Sequence, residues 1–180
     1  TRGNMALEYA RYVPKSSGKY YGAYRVGDIM FIVLDCGEDK PDDFWVYAGL
    51  TDFDGYRTEQ AAWFGELIRS KAYKSAKWRI VMNHFPPLSH MESDNPERHG
   101  IQDITDKFLP LYNQAKIDLM ISGHTHAYEF MSPDKYDRLT FPVIVNSTES
   151  VARIDIDGRT LKAKVTDTGG NTLKEFTISK

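Results

Sequence analysis

The sequence lacks the features that would assign it at once to a disulfide-rich, membrane-spanning or nucleic-acid-binding class. Its only cysteine is Cys36, so no disulfide can form within the chain, and cysteine usage does not reveal the compartment. No apolar run approaches the roughly 20 residues that a membrane-spanning helix needs. The 23 Lys and Arg residues nearly balance 25 Asp and Glu residues, which argues against a nucleic-acid-binding surface spread over the domain. A small anionic substrate remains compatible with this balance.

The order of predicted elements indicates an α/β fold in a single domain. A helix over Asn4–Tyr12 precedes alternating strands and helices, an order typical of a parallel sheet with crossover helices. Beyond residue 140, short strands and the Asp157-Gly158 and Gly169-Gly170 turns predict an antiparallel meander. The predicted strands are Tyr20–Val26, Ile29–Leu34, Trp78–Met82, Ile117–Ile121, Phe141–Asn146, Val151–Ile156, Thr160–Thr166 and Thr172–Ile178; the later helices are Thr58–Ala72 and Ile101–Ala115, the second bent or restarted near Pro110.

A long segment without helical or strand pattern lies between two of these elements. It runs from Cys36 to Tyr56, about twenty residues, and loops of that length in compact domains are usually functional or disordered. The segment mixes aspartates with aromatic residues. It can therefore form the rim of a pocket or be anchored by its own aromatic side chains, and both interpretations stay open. Cys36 follows a buried strand and is expected to be an inert core thiol.

Three histidines follow the carboxyl ends of two predicted strands. His84 comes after Trp78–Met82, and His124 and His126 come after Ile117–Ile121. Ligands bind just beyond these ends in open α/β sheets, so adjacent strands would bring the three side chains into one crevice. Two imidazoles two residues apart can point to the same side of an extended turn, and the preceding glycine permits an unusual dihedral angle. Neutral imidazole is a good ligand for zinc, iron and manganese.

The motifs around these histidines resemble those of the calcineurin-like metallophosphoesterases. Two stretches are similar to the last two signature motifs of that family: Asn83-His84-Phe85-Pro86-Pro87 and Gly123-His124-Thr125-His126-Ala127-Tyr128-Glu129. The second is most similar to the purple-acid-phosphatase-like branch. The motif order, the helix between the motifs and the trailing strands agree with the family over nearly the whole chain. This combination argues that the three histidines are not ordinary polar residues of surface loops.

The resemblance implies a dinuclear metal centre and a role for each histidine. His84 and His124 would bind one metal and His126 the other, with iron, manganese or zinc as divalent or trivalent ions. Two cations about 4 Å apart would clamp a phosphate ester and lower the pKa of bound water. The resulting metal-bound hydroxide would attack phosphorus in line with the leaving group. In purple acid phosphatases the loop after the first of these motifs carries substrate-facing histidines, which makes His90 a candidate substrate-binding residue.

The remaining metal-binding motifs of the family are not intact in this sequence. They are an Asp-x-His motif, a Gly-Asp motif whose aspartate bridges the metals, and a Gly-Asn-His motif. Gly3-Asn4-Met5 resembles the last of these with its histidine lost, but Asn4 is more simply explained as a helix cap. We therefore expect residues 1–180 to be a partial catalytic domain without its N-terminal metal-binding half, holding one metal or none.

The resemblance also implies an architecture and a consequence of the missing half. The chain would be the C-terminal half of a four-layer α/β/β/α sandwich. Its parallel strands, Ile29–Leu34, Trp78–Met82 and Ile117–Ile121, would then lose neighbours, and unpaired apolar edges and bare sheet faces drive association. We expect residues 1–180 alone to be inactive, and to self-associate through the truncated sheet or to survive only beside the N-terminal segment.

Two functions from different classes follow from the sequence. The first is metal-dependent hydrolysis of phosphate esters by the intact parent protein. The alternative is a non-catalytic binding or structural module in which the histidines hold at most one structural metal. Upstream Asp-x-His and Gly-Asp motifs would favour the enzyme. The substrate cannot be derived from the fold, so mono- and diesters, nucleotides, proteins and lipids all remain open. A secreted or periplasmic location is compatible with the resemblance.

Overall fold

The computed structural model describes residues 19–180, which form a six-stranded sheet, a three-stranded sheet and helices. The order of the larger sheet is β1-β2-β3-β4-β6-β5, and that of the smaller sheet is β7-β8-β9. The helix predicted over Asn4–Tyr12 lies outside the described residues. The strands are β1 (Gly22–Val26), β2 (Ile29–Val33), β3 (Trp78–Met82), β4 (Leu119–Ser122), β5 (Glu129–Met131), β6 (Val143–Val145), β7 (Ser150–Asp157), β8 (Thr160–Asp167) and β9 (Thr172–Ser179).

The centre of the larger sheet is parallel, as the alternating order predicted. β2, β3, β4 and β6 pair in parallel, and β1 and β5 flank them in antiparallel orientation. The meander β7-β8-β9 is antiparallel, also as predicted, but the strand predicted over Phe141–Asn146 is not part of it, because β6 joins the larger sheet in parallel to β4. The strand β5 has no counterpart among the predicted elements because it has only three residues, the first of which, Glu129, ends the second histidine motif. The mixed α/β fold with a trailing meander is therefore confirmed, and the four-layer sandwich stays a prediction.

Three helices connect the parallel strands. α1 spans Phe53–Leu67, the single-turn α2 spans Lys71–Lys74, and α3 spans Arg98–Ala115. α1 begins five residues earlier than predicted because the Asp52 carboxylate caps it by accepting a hydrogen bond from the Gly55 amide at 3.1 Å. It also ends earlier, and a new turn starts at a Ser70 cap. α3 continues through Pro110, so the predicted restart there is wrong.

The larger sheet lies between the helices and the smaller sheet, and a separate core fills each side. One core joins alternate strand residues such as Ile32 and Val81 to helix residues such as Phe108. The other joins Trp78 and Ile80 to the smaller sheet. The period of two along each strand sends neighbouring side chains to opposite cores, which explains the nearly continuous apolar sequence of these strands. No helix in residues 19–180 is long and apolar enough to cross a membrane.

The prediction that the parallel strands would have unpaired edges is wrong. Each of the three predicted strands has a hydrogen-bonded partner on both sides, since β1 pairs with β2 and β6 pairs with β4. The face toward the smaller sheet is less completely covered. Val26 at the end of β1 is 61% exposed and Met82 at the end of β3 is 42% exposed. The bare surface is therefore part of a sheet face and not a parallel edge.

Candidate active site

A cleft of about 560 Å³ opens where β2, β3 and β4 end, and the three motif histidines line it together. His84 lies two residues beyond β3, while His124 and His126 lie beyond β4. Two backbone hydrogen bonds join the connecting segments: Asn83 donates to the Ile121 carbonyl at 3.1 Å, and Gly123 donates to the His84 carbonyl at 3.0 Å. The parallel pairing of β3 and β4 thus brings two motifs 40 residues apart in sequence to one site.

The backbone of the second motif is unusual at the histidines and not at the glycine. His124 and His126 have φ angles of 71° and 58°, in the left-handed region that non-glycine residues seldom adopt. Gly123 has no positive φ, and a Cβ added there would lie 3.7 Å from the Asn146 carbonyl oxygen, an ordinary contact. The expected unusual dihedral at Gly123 is therefore wrong. Residues held in such conformations cluster at functional sites, which supports a functional role for this turn.

The His84 and His124 imidazoles lie close together in a nearly perpendicular arrangement. Their ring centres are 5.2 Å apart and their planes are inclined at 80°. Two imidazoles that bind one ion tetrahedrally through nitrogens at about 2.1 Å have ring centres roughly 5 Å apart, so this separation suits a shared metal. Burial lowers the pKa of both histidines, and charge repulsion from His126 and from His84, respectively, lowers it further. Both rings are thus biased toward the neutral form that binds metals.

The histidines fit a metal in donor type but do not form a complete ligand shell. Within residues 19–180, no group of three or more His, Cys, Asp or Glu side chains is arranged to hold a metal ion. His126 lines the cleft but does not complete such a group with His84 and His124. The described residues therefore supply imidazole ligands suited to zinc, iron or manganese, and further ligands are needed.

The segment after β2 forms part of the wall of the cleft. Glu38 and Asp39 line the cleft, and Glu97, at the start of α3, joins them. The rest of the segment is anchored by its own residues, because the Asp42 carboxylate accepts hydrogen bonds from the amides of Phe53 at 2.7 Å and Asp54 at 3.0 Å. Aromatic contacts add to this anchor, since the centre of the Tyr47 ring lies 6.4 Å from that of Phe44 and 5.8 Å from that of Phe53. Both interpretations of the segment therefore apply, the pocket rim to its first residues and the aromatic anchor to the remainder.

A buried arginine fixes this wall. The Arg57 side chain is 0% exposed and donates hydrogen bonds to the carbonyl oxygens of Cys36 at 2.8 Å and Glu38 at 3.1 Å. The same guanidinium forms ion pairs with Asp54, on its own helix, and with Asp103 on α3. It therefore ties two helices to the backbone of the cleft wall. Nothing in the sequence pattern identified Arg57, since arginine is rarely fully buried.

Gly100 brings the first turn of α3 against the same wall. Its amide donates to the Asp39 carbonyl at 2.7 Å. A Cβ at this position would lie 2.9 Å from the Asp39 Cα and 2.8 Å from the Phe85 ring, distances that real side chains do not tolerate. Glycine is therefore required for this close approach.

Cys36 and Asn83 form a buried contact beneath the first motif. The Cys36 sulfur lies 2.6 Å from the Asn83 side-chain oxygen and accepts a hydrogen bond from the Phe85 amide at 3.2 Å. Burial raises the pKa of the Cys36 thiol to about 12, so the thiol stays protonated and unreactive, as the sequence indicated. These contacts hold the residues on either side of His84.

His90 lies near the cleft but does not line it. Its side chain is 61% exposed, and its Nε2 is 3.3 Å from the Glu129 carboxylate, which also accepts a hydrogen bond from the Tyr136 hydroxyl. The neighbouring Met91 does line the cleft. Substrate binding by His90 therefore stays a prediction.

Comparison with known proteins places these observations in a family context. Residues 1–128 match the profile of a family described as "Calcineurin-like phosphoesterase". The chain is 29% identical over 134 residues to "Probable purple acid phosphatase 20" of Arabidopsis thaliana, which covers 73% of this chain and 28% of that protein. It is 32% identical over 122 residues to "Uncharacterized protein Rv2577" of Mycobacterium tuberculosis, covering 67% of this chain and 22% of that one.

A solved structure shares the fold. The purple acid phosphatase isolated from yellow lupin (Lupinus luteus) seeds aligns with a TM-score of 0.63 and 16% identity, over 93% of this chain and 34% of that chain. At this identity the likeness concerns the fold alone. The chain spans 22% to 34% of the length of these three proteins.

Proposed function

Because the chain belongs to the calcineurin-like phosphoesterase family, we propose that the complete protein hydrolyses phosphate esters with metal ions bound by His84, His124 and His126. The observation that carries this proposal is the convergence of both histidine motifs on one cleft. The phosphatase relatives support the same class of reaction. We further propose that a segment outside residues 1–180 supplies the other ligands of a dinuclear centre.

The charges of the cleft support a requirement for metal ions. Three carboxylates and no Lys or Arg are among the described residues that line it, so the protein side chains themselves would repel a phosphate group. When bound, metal ions would supply the missing positive charge and a water of lowered pKa. His84 and His124 would contribute neutral ligands, and the left-handed turn would fix the direction of His124 and His126. His90, at the edge of the cleft, would contact the substrate.

The alternative, a non-catalytic module with one structural metal, has less support. Structural zinc sites are closed by four protein ligands, whereas these histidines border an open cleft and form no complete shell within residues 19–180. An upstream sequence without Asp-x-His and Gly-Asp motifs would favour this alternative.

Hydrolysis of p-nitrophenyl phosphate tests the proposal. The protein expressed from its complete reading frame is expected to release p-nitrophenol in the presence of Mn²⁺ or Zn²⁺. Residues 1–180 alone are expected to show negligible turnover with the same ions, because the ligand shell is incomplete. Robust turnover by residues 1–180 would contradict the division of the ligands. Inactivity of the complete protein with either ion would contradict the function.

Self-association of residues 1–180 is a separate expectation. It is supported by the partly uncovered sheet face that carries Val26 and Met82, since exposed apolar patches drive association. Light scattering on purified residues 1–180 at about 100 μM is expected to give a mass above that of a monomer. A monodisperse monomer with cooperative unfolding would show that the face is covered from within. A secreted or periplasmic location likewise stays a prediction.

A further inference from the structure

The turn that carries His124 is fixed by backbone hydrogen bonds on both of its sides. On one side, the Gly123 amide donates to the His84 carbonyl at 3.0 Å. On the other side, the amide of Asn146, which directly follows β6, donates to the Ser122 carbonyl at 2.8 Å. A Cβ added at Gly123 would lie 3.7 Å from the Asn146 carbonyl oxygen and 3.9 Å from the His84 Nδ1 atom. Asn146 and His84 therefore flank the same glycine, although Asn146 is not among the residues that line the cleft.

The side chain of Asn146 is held by a reciprocal pair of hydrogen bonds with Ser150. The Asn146 Nδ2 atom donates to the Ser150 carbonyl at 2.8 Å, and the Ser150 hydroxyl donates to the Asn146 Oδ1 atom at 2.8 Å. The Ser150 hydroxyl oxygen also accepts hydrogen bonds from the amide and the hydroxyl of Ser147, both at 2.9 Å. Ser150 is only 8% exposed, so water competes little for these bonds. These three residues form the Asn146–Ser150 network.

The Asn146–Ser150 network lies where the chain passes from the larger sheet to the smaller one. β6 has only three residues, and β7 begins at Ser150 in the smaller sheet. The Asn146 amide extends the pairing of β6 with β4 by one hydrogen bond beyond the Ser122–Val145 pair. Ends of short strands open easily unless other contacts hold them. The network therefore determines how firmly β6 holds its side of the His124 turn.

We propose that Asn146 is a positioning residue for metal binding, which acts through its hydrogen bonds with Ser150 to hold the turn that carries His124. This inference rests on the proposed function, in which His124 is a metal ligand. A ligand has to be held within about 0.5 Å of its productive position. His124 has a φ angle of 71°, and such conformations persist only where the surrounding structure enforces them. A loosened turn would let His124 leave this conformation, and the ion would lose an oriented ligand.

The test measures the zinc affinity of the complete protein by competition with a chromophoric chelator. The affinity compared is that for the zinc ion whose binding is lost in His124→Ala. Asn146→Ala is expected to weaken this affinity by about 10-fold or more, the usual effect of removing an outer contact of a metal ligand. Ser150→Ala removes the other partner of the same bonds and is expected to have a similar effect. The double variant is expected to be little weaker than either single variant, because both residues act through one network.

Asn113→Ala separates positioning from a general loss of stability. Asn113 lies on α3, outside the cleft, where its Nδ2 donates to the Arg138 carbonyl at 2.9 Å and its Oδ1 accepts from the Thr140 amide at 3.1 Å. The variant thus loses comparable amide hydrogen bonds at a site remote from the His124 turn. It is expected to lower the urea midpoint of unfolding, followed by circular dichroism, and to keep the wild-type zinc affinity.

The outcomes distinguish this inference from the proposed function. Wild-type zinc affinity in Asn146→Ala, or an equal loss of affinity in Asn113→Ala, would overturn the inference alone, provided that His124→Ala loses zinc. Zinc binding by His124→Ala that is as tight as in the wild-type protein would overturn both. If Asn146→Ala does not fold, Ser150→Ala decides by the same comparison with Asn113→Ala.

Discussion

Replacement of His124 by alanine in the complete protein is expected to lower kcat/KM for p-nitrophenyl phosphate by about 100-fold or more. The ring centres of His124 and His84 are 5.2 Å apart, and removal of the His124 imidazole would leave a shared ion with one ligand fewer. His124 lines the cleft, and its ring also packs against that of the buried Phe85 with centres 4.5 Å apart, so circular dichroism must establish that the variant folds. Steady-state kinetics at saturating metal concentration would measure the loss.

His99→Ala provides the matched control for removal of an imidazole. His99 does not line the cleft, and its Nε2 instead lies 2.9 Å from the Asp54 carboxylate. The kcat/KM of the His99→Ala variant is expected to stay within a few-fold of the wild-type value, because exposed or partly exposed ion pairs contribute about 1 kcal/mol or less. Equal losses in the His124 and His99 variants would show that the effect is structural, and would argue against metal binding by His124.

Replacement of Arg57 by alanine is expected to destabilise the protein by about 3–5 kcal/mol. The guanidinium is fully buried, and its loss would leave two carbonyl oxygens without their donor and the carboxylate of Asp103 with Lys107 as its remaining partner. Urea denaturation followed by circular dichroism would give the change in the free energy of unfolding.

Arg69→Ala is the corresponding control. Arg69 forms an ion pair with Glu66 at the same spacing of three residues as Arg57 with Asp54, but the Arg69 side chain is 69% exposed. Exposed pairs of this kind contribute about 0–1 kcal/mol, so the variant is expected to unfold at nearly the wild-type urea concentration. Similar destabilisation by both substitutions would contradict the role given to the buried network.

Much of the fold could be predicted because buried strands are rich in apolar residues, which the sequence shows directly. β3 has the predicted bounds, Trp78–Met82, since its apolar residues divide between two cores, with Val81 in one and Trp78 and Ile80 in the other. The position of the edges could be predicted only in part. The hairpin that adds β1 beside β2 does have a local signal in the two-residue Gly27-Asp28 turn. The return of the chain that places β6 between β4 and β5 is a tertiary property without a local signal.

Part of the candidate site could also be predicted from a signal in the sequence. Histidines placed after strand ends carry a positional signal, and the structure brings His84, His124 and His126 to one cleft. The acidic wall has no such signal, because its residues come from two separate segments that meet only in the folded chain. The early start of α1 at Phe53 also escaped prediction, since the Asp52 cap was interpreted as part of a long loop.

The location of bound metal tests the central claim most directly. Crystals of the complete protein grown with Zn²⁺ are expected to give an anomalous-scattering peak at the zinc edge about 2.1 Å from an imidazole nitrogen of both His84 and His124. A second peak beside His126 is expected if the centre is dinuclear. Zinc bound only elsewhere on the protein, with these three imidazoles free in the same crystals, would contradict the account.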